Sequence, residues 1–355
     1  MNPRLKINLT KLTHNANHLA QLCAKNNITM TAVTKVFCAE QPMVSAIAAL
    51  PIKYLADSRL ENIANYPPGI TQQTILLRLP SPSMADAVVA GCDISLNSDI
   101  FTLGKLAAAA SKQGKTHGII LMIDLGDLRE GIYYDKPEQI EQAVSYILSQ
   151  KSLGFDGIGT NLTCFGGVLP SVKNLTILTD ICYNISNKFG IQIPIISGGN
   201  SSSLYPLGKG DVPAAINNLR FGDSISSGLE ASYYTLFDGM KPHAITLQAE
   251  IIEIFDKPSA PEGDTGVNAF GEAPSFVDKG IRKRAILAVG RQDTHFDGLT
   301  PMQAGITIEG ASSDHLIIDI TNAAPLKTGD WVGFTLSYGA ILAGFTSKYV
   351  EKIYM

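Results

Sequence analysis

Short apolar, β-branched runs recur between residues 30 and 230, and apolar positions at helical spacing lie between them. The strand-like runs are 29–35, 52–56, 74–79, 92–96, 118–124, 156–160, 193–197 and 217–221. The intervening stretches hold sets such as Met43, Ile47 and Leu50, or Ile140, Val144, Ile147 and Leu148, which share one face of a helix. Strands that read as near-continuous apolar segments are covered on both faces, as in parallel βαβ units. Eight of them over about 200 residues predict an α/β fold, a (β/α)8 TIM barrel. A doubly wound open sheet is the alternative, but no G-x-G-x-x-G follows the first run.

Beyond residue 240 the texture changes. The runs 243–255, 284–289, 305–308, 315–320 and 331–337 are β-rich and lack helical patterns between them, which predicts a C-terminal all-β domain. The expected division is 1–237 for the barrel and 238–355 for the β-domain. Residues 257–280 carry Pro258, Pro261, Pro274, Gly263, Gly266, Gly271 and Gly280, a long segment without element patterning and a candidate active-site or interface loop.

Composition narrows the class. The 355 residues are 45% apolar and 17% charged, which suits two globular domains and excludes disorder as the main state. A net charge of −4 gives no broad footprint for phosphate backbones, so no nucleic-acid partner is expected. The five cysteines are scattered without a C-x-x-C pair, which fits a reducing compartment and offers no metal motif. No apolar run approaches the roughly 20 residues of a membrane helix, and the N-terminus lacks the core of a signal peptide. A cytoplasmic protein without membrane contact is expected.

In a parallel barrel the chemistry sits where strands end, because the loops there share one face. Lys35 closes the apolar run Met30–Thr34, and an amine in such surroundings has its charged form disfavoured and its nucleophilicity raised, as a Schiff-base lysine requires. A lysine snorkelling at a helix start is the alternative. Arg59, Arg78 and Arg129 lie at or near strand ends, where a guanidinium fork can hold carboxylates or phenolates or simply form an ion pair. Ser197–Ser203 and Gly222–Gly228 follow the last two runs, the usual barrel phosphate site, although Gly and Ser also mark ordinary turns. His14 and His18 are four apart on a helical pattern that reads as a solvated face, and no metal is assigned. Cys164 follows the sixth run and serves either as an acid/base or as a small pocket wall.

Lys35 in Ala-Val-Thr-Lys, Arg129 in Leu-Gly-Asp-Leu-Arg-Glu-Gly, Asn200-Ser201 and Arg220 in Leu-Arg-Phe-Gly222 occur in the order seen in one family. The chain resembles the alanine racemase family of fold type III pyridoxal 5'-phosphate enzymes. TAVTKVFCAEQP, ILMIDLGDLREGI, ISGGNSSSLY, INNLRFGDSI and SYGAILAGFTSKYV resemble its ornithine racemase branch. The resemblance implies a cofactor barrel followed by a β-domain, in a head-to-tail homodimer whose active site is shared across the interface. It makes Lys35 the lysine that holds the cofactor. It sets Arg220 opposite the pyridine nitrogen, where a guanidinium that keeps its proton leaves the ring a weaker electron sink. Asn200 falls among the cofactor-binding motifs. Ser201, the backbone of Gly222 and Asp223, and Tyr338 match phosphate-holding positions, Arg129 a position near the phenolic oxygen, and Asp314 an entrance position from the other subunit.

There are departures from the pattern. Phe270 stands where alanine racemases carry a catalytic tyrosine, Ala39 replaces a phosphate-binding tyrosine, and Asn161 replaces a histidine. Two-base racemisation needs proton donors on both faces of Cα. Lys35 serves one, and His315, Asp314, Asp293, Cys164 and His295 are candidates for the other. His315 ranks first because imidazole titrates near neutrality, although Asp314 and His315 would face opposite sides of a strand. The expected function is racemisation of a small-molecule basic amino acid, ornithine first. Alanine or broad-spectrum racemisation, decarboxylation, and a cofactor carrier without catalysis are the alternatives.

Overall fold

The structure is a computed structural model that describes residues 2–355. An initial strand, β1 (Arg4–Ile7), and the helix Leu9–Lys25 precede the barrel. The eight apolar runs then form β2 (Thr29–Val33), β3 (Tyr54–Asp57), β4 (Gln73–Leu76), β5 (Ile94–Asn97), β6 (His117–Asp124), β8 (Leu153–Gly159), β9 (Ile195–Ser197) and β10 (Asn218–Phe221). A two-residue strand, β7 (Ile132–Tyr133), pairs beside the end of β6. The eight long strands pair in parallel in the order β2-β3-β4-β5-β6-β8-β9-β10, and β10 returns to β2 to close the barrel.

Its interior is packed rather than open. Val33, Tyr54, Ala56, Ile75, Ile94, Leu96, Ile120, Met122 and Ile195 form one buried cluster, as expected of a barrel filled by branched side chains. β6 is buried at all eight positions, which is why it reads as unbroken apolar sequence. Local signals start and stop the surrounding helices. Asp99 caps Ile100–Lys112 by accepting from Thr102 N at 2.8 Å, and a Ser171/Asn174 capping box opens Val172–Phe189, which ends on Gly190 at φ 63°.

The remaining strands are β11 (Ile245–Pro258), β12 (Ile281–Leu287), β13 (Leu299–Pro301), β14 (Thr307–Ala311), β15 (Leu316–Asp319), β16 (Trp331–Leu336) and β17 (Glu351–Tyr354). They build a sheet in the order β13-β16-β11-β12-β15-β14, antiparallel throughout. β1 joins this sheet, antiparallel to β11 and parallel to β17. The chain therefore divides into Thr10–Pro242 and a unit made of the residues up to Leu9 with His243–Met355. That differs from a single cut near residue 237. Leu5 and Ile7 are fully buried while Arg4 and Lys6 are not, so the period-two alternation of β1 places its apolar side in the core of the β-rich unit.

His117, at the start of β6, is buried and lies 2.7 Å from Ser95 Oγ through Nε2. Burial lowers its imidazole from 6.5 to about 4, so between these values the unfolded chain binds a proton that the folded chain does not. Stability is then full above the higher value and falls as pH drops toward the lower one. Between about pH 7 and about pH 5 this group should cost roughly 2 kcal/mol. H117Q should remove that part of the pH dependence in urea denaturation; an unchanged difference between the two pH values would refute it.

Candidate active site

β2 ends at Val33, and Lys35 opens a single 3-10 turn, Lys35–Phe37. The turn rises from a braced stem. Thr34 Oγ1 donates to Asp57 Oδ2 at 2.6 Å and lies 2.9 Å from Tyr66 Oη, while Asp57 Oδ1 accepts from Arg59 N at 3.0 Å and Asn62 Nδ2 at 2.9 Å. Burial pushes the Asp57 carboxyl up, and these hydrogen bonds work against that shift. Cys38 and Ala39 then take φ values of 50° and 54°, a conformation L side chains adopt at a cost of about 1–2 kcal/mol each. Ala39 is fully buried and its N–H donates to Thr34 O at 3.3 Å, which ties the strained turn back to the stem.

Lys35, Cys164 and Asp223 follow the carboxyl ends of β2, β8 and β10, which places all three at one end of the barrel. Arg220 projects from β10 and is 3% exposed. Its Nη1 donates to Ser197 Oγ, and its Nη2 to Asn161 Oδ1 and to Thr160 O, the last at 2.7 Å. Desolvation lowers the guanidinium to about 10, and the carboxylate of Glu130 opposes that shift. Asn161 Nδ2 donates to Glu130 Oε1, and Glu130 receives the fork of Arg129, through Nε and through Nη2 at 2.6 Å. One hydrogen-bonded line thus runs from Arg220 through Asn161 and Glu130 to Arg129.

Two aspartates fix the loops that carry this line. Asp127 accepts from the backbone N–H of Cys164, Phe165 and Val168 at 2.9–3.1 Å, and Asp124 accepts from Gly126 N and Leu128 N. Gly131 has φ 122°, and a Cβ there would lie 2.5 Å from Asp124 N, so only glycine fits beside the strand end.

A second cluster follows β9 and β10. Ser201 Oγ accepts from Gly222 N at 3.3 Å and Ser224 N at 3.4 Å, long contacts that gather amides and hydroxyls around one point. A Cβ on Gly222 would meet Val33 at 3.0 Å. Ser224 Oγ and Asp223 Oδ1 are buried without a hydrogen-bond partner among the described residues. Burial raises the Asp223 carboxyl to about 6, against hydrogen bonds from Ser227 and Tyr234 and the charge of Lys35. Asn200 is committed to the loops: Oδ1 accepts from Ser202 N and Oγ, and Nδ2 donates to Leu162 O at 2.8 Å and Cys164 Sγ at 3.2 Å. Desolvation raises the Cys164 thiol, and the charges of Arg129 and Lys35 moderate the shift.

Lys35, Arg129, Cys164, Asn200, Ser201, Arg220, Gly222 and Asp223 therefore all lie in Thr10–Pro242, in the strands, loops and short helices at strand ends of the barrel. Tyr338, Asp314 and His315 belong to the β-rich unit. Asp314 and His315 sit in the turn between β14 and β15 rather than in a strand, so the opposite-face argument does not apply to them. Asp314 Oδ1 accepts from Gln292 Nε2 at 2.8 Å. Arg78 lies two residues past β4 and is exposed. His14 and His18 stack on each other at 6.3 Å, and His14 Nε2 is 2.8 Å from Gly239 O, so their face is partly covered. Sequence alone assigns no role to Glu130, Asp127 or Asp57. The adjacent Arg-Glu pair after a buried strand was the available signal for Glu130.

Known proteins share the sequence and the fold. Residues 7–227 match the family of the alanine racemase N-terminal domain. The chain is 42% identical over 353 residues to an ornithine racemase of Acetoanaerobium sticklandii, covering 99% of both chains. It is 36% identical over 353 residues to a lysine racemase of Thermotoga maritima, covering 99% of this chain and 98% of the relative. Among solved structures, alanine racemase from Bartonella henselae with covalently bound pyridoxal phosphate superposes with a TM-score of 0.75 over all of both chains at 16% identity, a likeness of fold. With a closed eight-stranded parallel barrel, a β-rich second unit and full-length relatives at this identity, the chain belongs to the alanine racemase family.

Proposed function

We propose that the chain is a pyridoxal phosphate-dependent racemase of a basic amino acid, ornithine before lysine. The observation that carries this reading is an anion cradle with an unsatisfied buried hydroxyl, Ser224 Oγ, at the same barrel end as Lys35. The full-length relatives named for ornithine and lysine supply the substrate class.

The residues fit the cofactor. Lys35 Nζ would bind its aldehyde carbon, and Ser201, the amides of Gly222 and Asp223, and Ser224 would hold its phosphate. Arg220 would face the ring nitrogen and Arg129 the phenolic oxygen. Bound there, pyridoxal phosphate supplies the electron sink that weakens the Cα–H bond. Arg220, a guanidinium with neutral acceptors on both Nη atoms, keeps its proton at neutral pH and gives none to the ring. Lys35 Nζ would take or return the Cα proton on one face. The opposite face is assigned to His315 of the partner subunit, ahead of Asp314 of the partner subunit, in a head-to-tail homodimer. Cys164, whose thiol is raised by burial, stays protonated and shapes the wall.

Full-length protein supplied with pyridoxal phosphate should racemise L-ornithine and L-lysine faster than L-alanine by chiral chromatography. Borohydride reduction followed by peptide mass spectrometry should find a pyridoxyl adduct on the Lys35 peptide. Lys35→Ala should lose that adduct and about a thousand-fold in activity. Absence of the adduct from native protein would overturn the reading, and turnover confined to alanine would overturn the substrate.

Ser201→Ala should retain the cofactor about tenfold less tightly, equivalent to the loss of one hydrogen bond of about 1.4 kcal/mol. Dialysis against a carbonyl scavenger measures this, and retention equal to that of the native protein would remove Ser201 from the cradle.

A further inference from the structure

The line from Arg220 to Glu130 has a polarity. Asn161 turns Oδ1 toward Arg220 Nη2 and Nδ2 toward Glu130, and the carboxylate, which can only accept, dictates that orientation. With the amide reversed, Arg220 and Asn161 would present donor to donor. Arg220 itself touches only neutral oxygens, from Ser197, Thr160 and Asn161. Glu130 is the carboxylate at the far side of the Asn161 amide, its side chain 12% exposed, and Arg129 closes its outer side. The loops bearing Glu130 and Asn161 are locked together by Asp127. A buried cation without such a charge loses much of its stability as a cation.

We infer that Glu130 is a positioning residue, the counterion of Arg220 relayed through Asn161, which holds that guanidinium charged and aimed at the cofactor ring. The inference rests on the cofactor reading above. Glu130 does not touch substrate or ring; it sets the charge state and direction of the group that does. Removing its charge makes the Arg220 cation less favourable, so Arg220 gives up its proton at lower pH than before.

Glu130→Gln keeps the size and an acceptor oxygen and deletes the charge. In the holoenzyme, the alkaline pH at which the cofactor's visible absorbance changes should fall by about one unit, and cofactor retention should weaken about tenfold. Adding Asn161→Asp places a carboxylate directly against Arg220 and should return the transition upward, a rescue that a packing role for Glu130 would not produce. Glu130→Asp, which keeps the charge, should lie between the native protein and Glu130→Gln. In cofactor-free full-length protein, Glu130→Gln should lower the thermal midpoint, and most of that loss should vanish in an Arg220→Met background. An unmoved transition with strictly additive thermal effects would overturn the inference. If the native protein takes up no cofactor while the thermal coupling persists, the racemase reading fails and the counterion role stands; without either, both fail.

Discussion

A guanidinium buried in the end of a barrel demands oxygen acceptors on every side and a negative charge within reach. Arg220 imposes that demand here, and three neighbouring strands meet it. Ser197 ends β9, Thr160 and Asn161 follow β8, and Glu130 follows β6. From Glu130 to Arg220 these residues are 90 positions apart in sequence. The parallel barrel gathers them because every strand delivers its carboxyl end to the same face. The fold supplies convergence, and the buried cation selects what each loop must carry.

Convergence alone would leave mobile side chains, and the surrounding hydrogen bonds remove that freedom. Asp127 spans two loops with three backbone N–H donors, Asp57 braces the residue before Lys35, and Glu230, also buried, accepts from Ser232, Tyr233 and Thr235. Each is a carboxylate whose oxygens are occupied by nearby backbone and side-chain donors. The left-handed turn at Cys38 and Ala39 persists against its own preference because that bracing over-determines it. Preorganisation of this kind lowers the reorganisation needed when charge develops at the reacting atoms.

Much of this was legible in the sequence. Parallel strands are buried on both faces, so all eight barrel strands read as apolar runs, and polar residues at their ends, Lys35, Ser201, Arg220 and Gly222 among them, stand out against that background. Other features have no local signature. β1 is a four-residue strand whose partners, β11 and β17, lie about 240 and about 350 residues away, so nothing around Arg4–Ile7 announces which unit it joins. Glu130 looks like half of an ordinary Arg-Glu pair until topology brings Asn161 to it. Asp314 and His315 look like strand residues in the sequence because the run Leu316–Ile320 begins directly after His315.

Phe270 is held in a stack with a cation. The Arg291 guanidinium lies 4.1 Å from the centre of its ring and 4.8 Å from that of Phe296, while its fork grips Glu272 at 2.8 Å through both oxygens. The pairing holds the Glu272 carboxyl down at about 2. A phenyl ring in that stack contributes a face to a cation and has no proton to give. Proton traffic has to run through groups that can hold a proton near neutral pH. At the barrel end shared with Lys35, the Asp223 carboxyl, raised to about 6, meets that condition, whereas burial pushes the Cys164 thiol further up and away from it. Glu130 and Asp127 are saturated by donors, so their oxygens are committed to holding Arg129, Asn161 and the 164–168 loop in place.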